Sequence, residues 1–263
     1  MENKKFIVAI VILSILLLAA LGFIGYDKFL KKDDESIKTV INDMEIDLNV
    51  FYKVRDTLNN LDTAFNDTSN KYFGYIYSDK NIMIEKLDKK VALYAAMYEE
   101  IDRTNIAQYI QAGKVKSNLQ SMFGKYVEYK PENVEWDETS YIPYDKENDN
   151  FAHQLPVVNT IAQPEFISTE ISTALAEGEI IVKRKTYYVE YETDETATKR
   201  IKALIYTNKD KKQLVTTMNL KNGAINESEV IAKYSSKFNT YVYTFKEYNN
   251  TDYVLYSIEK VRK

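Results

Sequence analysis

Residues Phe6 to Tyr26 read FIVAIVILSILLLAALGFIGY, a run of 21 residues that carries no charge and has Ser14 as its polar break. At about 1.5 Å per residue such a run covers a hydrocarbon core of roughly 30 Å, and a helix satisfies its own backbone hydrogen bonds there. The run predicts one transmembrane helix over residues 6–26, between a short tail of residues 1–5 and a body that starts at residue 27. Its partner is then the lipid bilayer. Lys4 and Lys5 precede the run and Lys28, Lys31 and Lys32 follow it, so the count of basic flanks does not set the orientation. A basic tail followed by an apolar run is the layout of a secretory signal, which predicts the N-terminus inside and the body outside. Ala20-Leu21-Gly22 has the small-x-small pattern of a cleavage site, but the apolar run continues through Phe23, Ile24 and Tyr26. That continuation favours a retained signal-anchor over a cleaved peptide.

The chain has no cysteine. This excludes disulfides, thiolate nucleophiles, cysteine metal sites and lipid-modified cysteine, so the body is held by its core alone. Setting aside Lys4, Lys5 and Glu2, the totals of 35 basic and 39 acidic residues leave 33 and 38, a net charge of −5 for the body beyond the apolar run. Phosphate binding along a nucleic acid needs a concentrated positive surface, and no nucleic-acid partner is expected. With 45% hydrophobic residues, 7 glycines and 4 prolines, the composition is that of a folded domain. The 22 tyrosines fit two readings: a rigid aromatic surface for sugar or peptide ligands, or strand formers in a chain that is also rich in Lys, Asn and Ile.

Ile37, Ile41, Met44, Leu48, Phe51, Val54, Leu58, Leu61 and Phe65 recur at steps of three or four. They predict a long helix from near Asp33 or Asp34, although Met44 to Val54 also alternate at period two, as a strand would. Helical spacing returns from Leu87 through Ile101, and again from Lys114 to Phe123, with Gly124 placed for a left-handed C-terminal cap. Pro131, Pro143, Pro156 and Pro164 fall in one segment, which predicts a long irregular connection. Beyond it, β-branched and aromatic runs over 166–175, 179–192, 199–207 and 213–219 read as strands. Asn226-x-x-Glu229 starts a short helix, and runs over 240–247 and 252–261 around Asn249-Asn250 form a closing hairpin. The fold class is therefore α+β. It comprises a mainly helical lobe over 27–130, a proline-containing connection over 131–164 and an antiparallel sheet lobe over 165–263, as two lobes or as one domain spanning 27–263.

His153 is the only histidine, and the chain has no GxSxG, GxGxxG or GxxxxGK[ST] sequence. A two-histidine zinc site is thereby excluded, and the common nucleophile elbows and phosphate loops are missing. No catalytic residue, metal site or cofactor is assigned. Asp145, Glu147 and Asp149 space their carboxylates like the start of a calcium loop, but Asn150 and Pro156 stand where that loop needs Gly and Glu. A segment this long would be poorly ordered unless its aromatics Trp136, Tyr141, Tyr144 and Phe151 were buried, so they are expected to pack between helices and sheet, with Asp145, Glu147, Asp149 and His153 on the polar rim. The four aromatics with Asp145 and His153 form the candidate ligand or partner surface.

Three functional readings fit this sequence. The first is a membrane-anchored extracytoplasmic binding or interaction domain of a bacterial cell envelope, without catalytic activity and with a protein partner there. The second is an envelope hydrolase using paired carboxylates, chemistry that needs no linear motif. The third is a scaffolding subunit that exposes the apolar stripe from Ile37 to Phe65. The topology is tested by adding protease to intact cells or protoplasts. The body should be digested while a cytosolic control survives, and full protection of the body in sealed cells would reverse the orientation.

Overall fold

The computed structural model describes residues 46–102, 107–137, 139–154, 161–250 and 252–261. The expected transmembrane helix over 6–26 lies outside them, and among the described residues no helix is long and apolar enough to cross a membrane. The fold is α+β, with four α-helices and antiparallel sheets among the described residues.

Helix α1, Leu48–Phe65, starts where the Asp47 side chain accepts a hydrogen bond from the Asn49 amide at 2.8 Å, an N-cap that satisfies a donor at the helix end. This corrects the expected start near Asp33 or Asp34, because Ile46 and Asp47 are not helical. The competing strand pattern loses to the longer helical period. Ile37, Ile41 and Met44 lie outside the described residues. Val54, Leu58, Leu61 and Phe65 form the buried face, so from Val54 onward the apolar stripe is covered by the protein's own core.

Helix α2, Lys89–Tyr98, is capped by Asp88, and every residue from Val91 to Tyr98 is buried, as expected for a helix that is apolar on all sides. Helix α3, Ala112–Phe123, buries Val115, Leu119, Met122 and Phe123. It ends at Gly124, whose φ of 56° is positive but whose ψ of −132° is not that of the expected left-handed helical cap. A side chain at Gly124 would meet Val254 and Tyr248 at 3.0–3.3 Å, so close packing of the chain on the sheet fixes this glycine. Helix α4, Glu227–Tyr234, starts at Asn226, whose side chain accepts from the Glu229 amide.

The main sheet joins β1 (Ile82–Met83), β7 (Glu165–Ala176), β8 (Glu179–Thr193), β9 (Arg200–Tyr206), β10 (Leu214–Asn219), β11 (Asn239–Tyr248) and β12 (Asp252–Val261). Its order is β1-β12-β11-β8-β9-β10, with β7 also on β8. Strand β8 is the hub. One edge holds β7; the other pairs with β11 over 179–186 and then with β9 over 188–193. Glu177 and Gly178 turn β7 into β8 with φ of 53° and 80°, the paired positive values that suit the twist of a two-residue hairpin. The closing hairpin also forms, with Asn249 and Asn250 at positive φ.

Where it is described, the segment 131–154 is less irregular than its prolines suggest. Strands β3 (Val134–Glu135) and β4 (Tyr141–Ile142) pair with each other. Strand β6 (Asn150–Gln154) pairs with β5 (Tyr144–Asp145) on one side and β2 (Ala107–Gln111) on the other. Pro131, Pro143 and Pro164 are confined to strand boundaries or beyond them, which is where a missing backbone donor is tolerated.

The helices dock on the sheet through a buried ion pair. Arg184 Nη1 of β8 lies 2.7 Å from Asp62 Oδ2 of α1, Arg184 Nη2 donates to the Ser168 carbonyl at 2.5 Å, and the Tyr77 hydroxyl donates to Asp62. Burial raises the pKa of the Asp62 carboxyl, and Arg184 and Tyr77 act against that rise. Four residues on, the Asn66 side chain donates to the Phe166 carbonyl at 2.8 Å and accepts from the Phe166 amide at 2.6 Å, filling the place of a neighbouring strand beside β7. Removing one member of a buried pair leaves an uncompensated charge and costs about 3–5 kcal/mol. Asp62→Asn should lose stability on that scale in urea melts, and Asp62→Leu combined with Arg184→Met should recover much of it. A loss below about 1 kcal/mol for Asp62→Asn would show that the pair is incidental to docking.

Candidate functional site

Segment 131–154 is pinned to the helical half by its tryptophan. The Trp136 ring lies nearly parallel to Tyr98 at 6.5 Å, and edge-on to Tyr94 and His153 at 5.7 and 5.9 Å. The tyrosines are themselves fixed. Tyr94 donates to the Ala64 carbonyl at 2.7 Å, and Tyr98 donates to Asp67 Oδ2 at 3.0 Å. The backbone of Trp136 is tied as well, its amide donating to the Ser140 carbonyl and its carbonyl accepting from the Lys71 amide.

Strand alternation sorts the remaining candidates. Gln108 pairs opposite His153 and Ile110 opposite Phe151, and these positions turn inward, with Phe151 fully buried and His153 only 1% exposed. His153 is therefore a core residue packed on Trp136, not part of the polar rim on which it was expected. Successive strand residues face opposite sides, so Ala107, Tyr109 and Ala152 point out. Tyr144 is half-buried against Phe151 at 5.1 Å, while Tyr141 on β4 is 58% exposed. Of the four aromatics expected to be buried, Trp136 and Phe151 are buried and Tyr141 is not.

The outward residues line an open groove of about 520 Å³ between the β2–β6 pair and β4, bounded by Tyr109, Tyr141, Ser140, Pro143 and Ala152. Tyr109 is 77% exposed. It was missed because Ala107–Gln111 lies between two helices and is too short for alternation to stand out from a turn. Asp137 shapes the wall beside Ser140. Its carboxyl is held down at about 2 by the Ser140 hydroxyl and by the Thr139 and Ser140 amides.

Asp145 stands apart from the groove and is consumed by its own turn. It accepts from the Glu147 amide at 2.9 Å and from both the Asn148 amide and side chain, and the Asn148 side chain is the largest cause of its lowered pKa. Asp149, at φ of 49°, accepts from the Tyr144 hydroxyl at 2.6 Å. The alternating acids thus close a hairpin, and among the described residues no three His, Asp or Glu side chains converge as metal ligands would. The six candidates do not form one site: Trp136, Phe151 and His153 support the groove from beneath, Tyr141 lines it, and Tyr144 and Asp145 belong to the neighbouring turn.

Compared with known proteins, the chain matches no family model, no curated protein sequence and no solved structure.

Truncating a buried aromatic costs about 3–5 kcal/mol, whereas an exposed side chain away from such features changes stability by about 0.5 kcal/mol or less. Trp136→Ala should fall in the first range and Tyr141→Ala in the second, measured by thermal or urea unfolding. Equal losses for the two would mean that Tyr141 is covered in solution.

Proposed function

We propose that this protein is a membrane-anchored, extracytoplasmic binding domain of a bacterial cell envelope, without catalytic activity, and that it presents the Tyr109–Tyr141 groove to a protein partner. The observation that carries this reading is a pair of solvent-facing tyrosines, 77% and 58% exposed, on a rigid support of short strands and a buried tryptophan. Aromatic side chains that bury large area at little entropic cost are the residues on which interfaces concentrate their binding energy. The apolar run over 6–26 supports the anchor, and the basic tail ahead of it supports a body outside the membrane.

Against the hydrolase reading stands the lining of the groove, Ala107, Gln108, Tyr109, Ser140, Tyr141, Pro143, Ala152 and His153. Among the described residues this lining holds no carboxylate to serve as acid or nucleophile. Against the scaffolding reading stands the coverage of the stripe from Val54 onward, where Val54, Leu58, Leu61 and Phe65 are all buried, and Leu48 at the start of α1 is its exposed member among the described residues.

A photoreactive amino acid placed at residue 141 or 109 in living cells should give a discrete protein adduct. Tyr109→Ala should reduce the adduct formed from residue 141 by about tenfold, since losing one anchor of about 1.4 kcal/mol is a factor of ten in affinity. The same probe at exposed Leu214 of β10 is the control. Identical adducts from residues 141 and 214, or none from 141 and 109, would remove the support for this surface.

A further inference from the structure

A second groove, of about 530 Å³, lies beside the C-terminal end of α1, bounded by the loop after that helix, by β1 and by the turn before β10. Four lysines line it, Lys71, Lys80, Lys86 and Lys209, beside Phe73 and Tyr75. No acidic side chain is among its described lining residues, in a chain whose net charge is −4. Lys71 is paired with Glu135. The other three are not neutralised: Lys209 donates to the Phe73 carbonyl at 3.2 Å, and Lys80 and Lys86 are exposed without an ion pair among the described residues. Of the nearby acids, Asp79 pairs with Lys260 and Asp210 with Lys212, while Asp88, which caps α2, and exposed Glu85 keep their charge outside the lining.

The groove is built, not frayed. Gly74 holds a φ of 73°, a conformation that favours glycine, and a side chain there would meet the Phe166 ring at 2.6 Å. Its amide donates to the Phe65 carbonyl at 2.7 Å, closing the end of α1. The Tyr77 carbonyl accepts from Tyr241 at 2.6 Å, and Ile82 and Met83 join the main sheet on β12. The loop is therefore ordered before any ligand arrives, which lowers the entropic cost of binding.

From this geometry we infer that the lysine groove binds an acidic glycan, a sugar chain bearing carboxylate or phosphate groups. Partly buried Phe73 and Tyr75 offer apolar ring surface for a sugar face. Ser78 and Asn81 offer hydroxyl and amide groups for ring oxygens. Lys80, Lys86 and Lys209 place positive charge where the acidic substituents lie. Ring surface and neutral polar groups beside the lysines favour a glycan over a lipid headgroup, which would use the positive charge alone.

The test uses the full-length protein in detergent and measures binding of oligogalacturonate, with neutral dextran of matched length, polyglutamate, single-stranded DNA and phosphatidylglycerol vesicles as comparison ligands. Oligogalacturonate should bind with an affinity that falls as salt rises, and dextran should not bind. The triple variant Lys80→Gln, Lys86→Gln, Lys209→Gln should weaken binding at least tenfold with an unchanged melting temperature, and should leave the adduct at residue 141 intact. Three results would overturn the inference: wild-type affinity in the triple variant, equal affinity for polyglutamate or DNA, or preference for the vesicles. Loss of the residue 141 adduct with glycan binding retained would strike the Tyr109–Tyr141 reading instead.

Discussion

The ion pair between Asp62 and Arg184 sets the position of nearly everything else. It fixes α1 across β8, the strand that pairs with three others, and it does so within four residues of the point where α1 ends. Because Asp62 also accepts from Tyr77, the same carboxylate holds the loop that follows the helix. Asn66 then binds both backbone groups of Phe166, so the helix end, the loop and β7 are locked together. A buried pair is weak ground for net stability against an apolar alternative, yet it does prescribe one arrangement of its elements. Here that arrangement places Gly74 against Phe166 and opens the lysine groove beside them.

Without disulfides, order beyond this pair comes from aromatic packing. Phe166 lies within 4.5–5.6 Å of Tyr77, Tyr188 and Phe73, and Trp136 lies against Tyr94, Tyr98 and His153. A separate cluster, with Tyr187 stacked on Phe238 at 4.5 Å and joined by Val230 and Ile231 of α4, covers the part of the sheet where β8 leaves β11 for β9. Many of the tyrosines are thus core residues that combine ring area with a hydroxyl. Tyr72 and Tyr188 show the cost of that choice, since burial pushes both phenols up to about 12. Tyr109 and Tyr141 depart from this pattern, as does Tyr52 of α1, which is as exposed as Tyr141; what sets the first two apart is that they line one groove.

Elements whose signal is local were legible in the sequence. The four long strands after Pro164, the closing hairpin, α2 and α3 all carry a period or a turn residue that their own sequence displays. The start of α1 was not, because a helical stripe of apolar residues continues past Asp47 toward the N-terminus, and only the cap geometry shows where the helix begins. Strands β2 to β6 were not either: they span two to five residues each, too few for a period to show, and β2 exists through pairing with β6 some forty residues away. The candidate site suffered from the same limit. Aromatics among prolines flagged the right segment, but which of them face outward depends on register, and a shift of one residue would exchange His153 for Ala152. The lysine groove has no linear signature at all, since Lys209 reaches it from a turn 138 positions beyond Lys71.

The two grooves share a support in the segment around Trp136. The Trp136 ring supports His153 beneath the tyrosine groove, while its carbonyl accepts from the Lys71 amide and its neighbour Glu135 pairs with Lys71 at the edge of the lysine groove. Lys90 of α2 meets the same Glu135 at 2.8 Å, so the segment is clamped between the start of α2 and the loop after α1. Removing the indole would release β3 from both, and each groove would lose a side at once. Trp136 is consequently a poor probe of either surface, because its loss cannot separate a binding contact from a collapsed support. Tyr141, Lys80 and Lys86 are exposed side chains at the grooves, with no such second duty among the described residues. They are the positions at which binding and stability can be read independently.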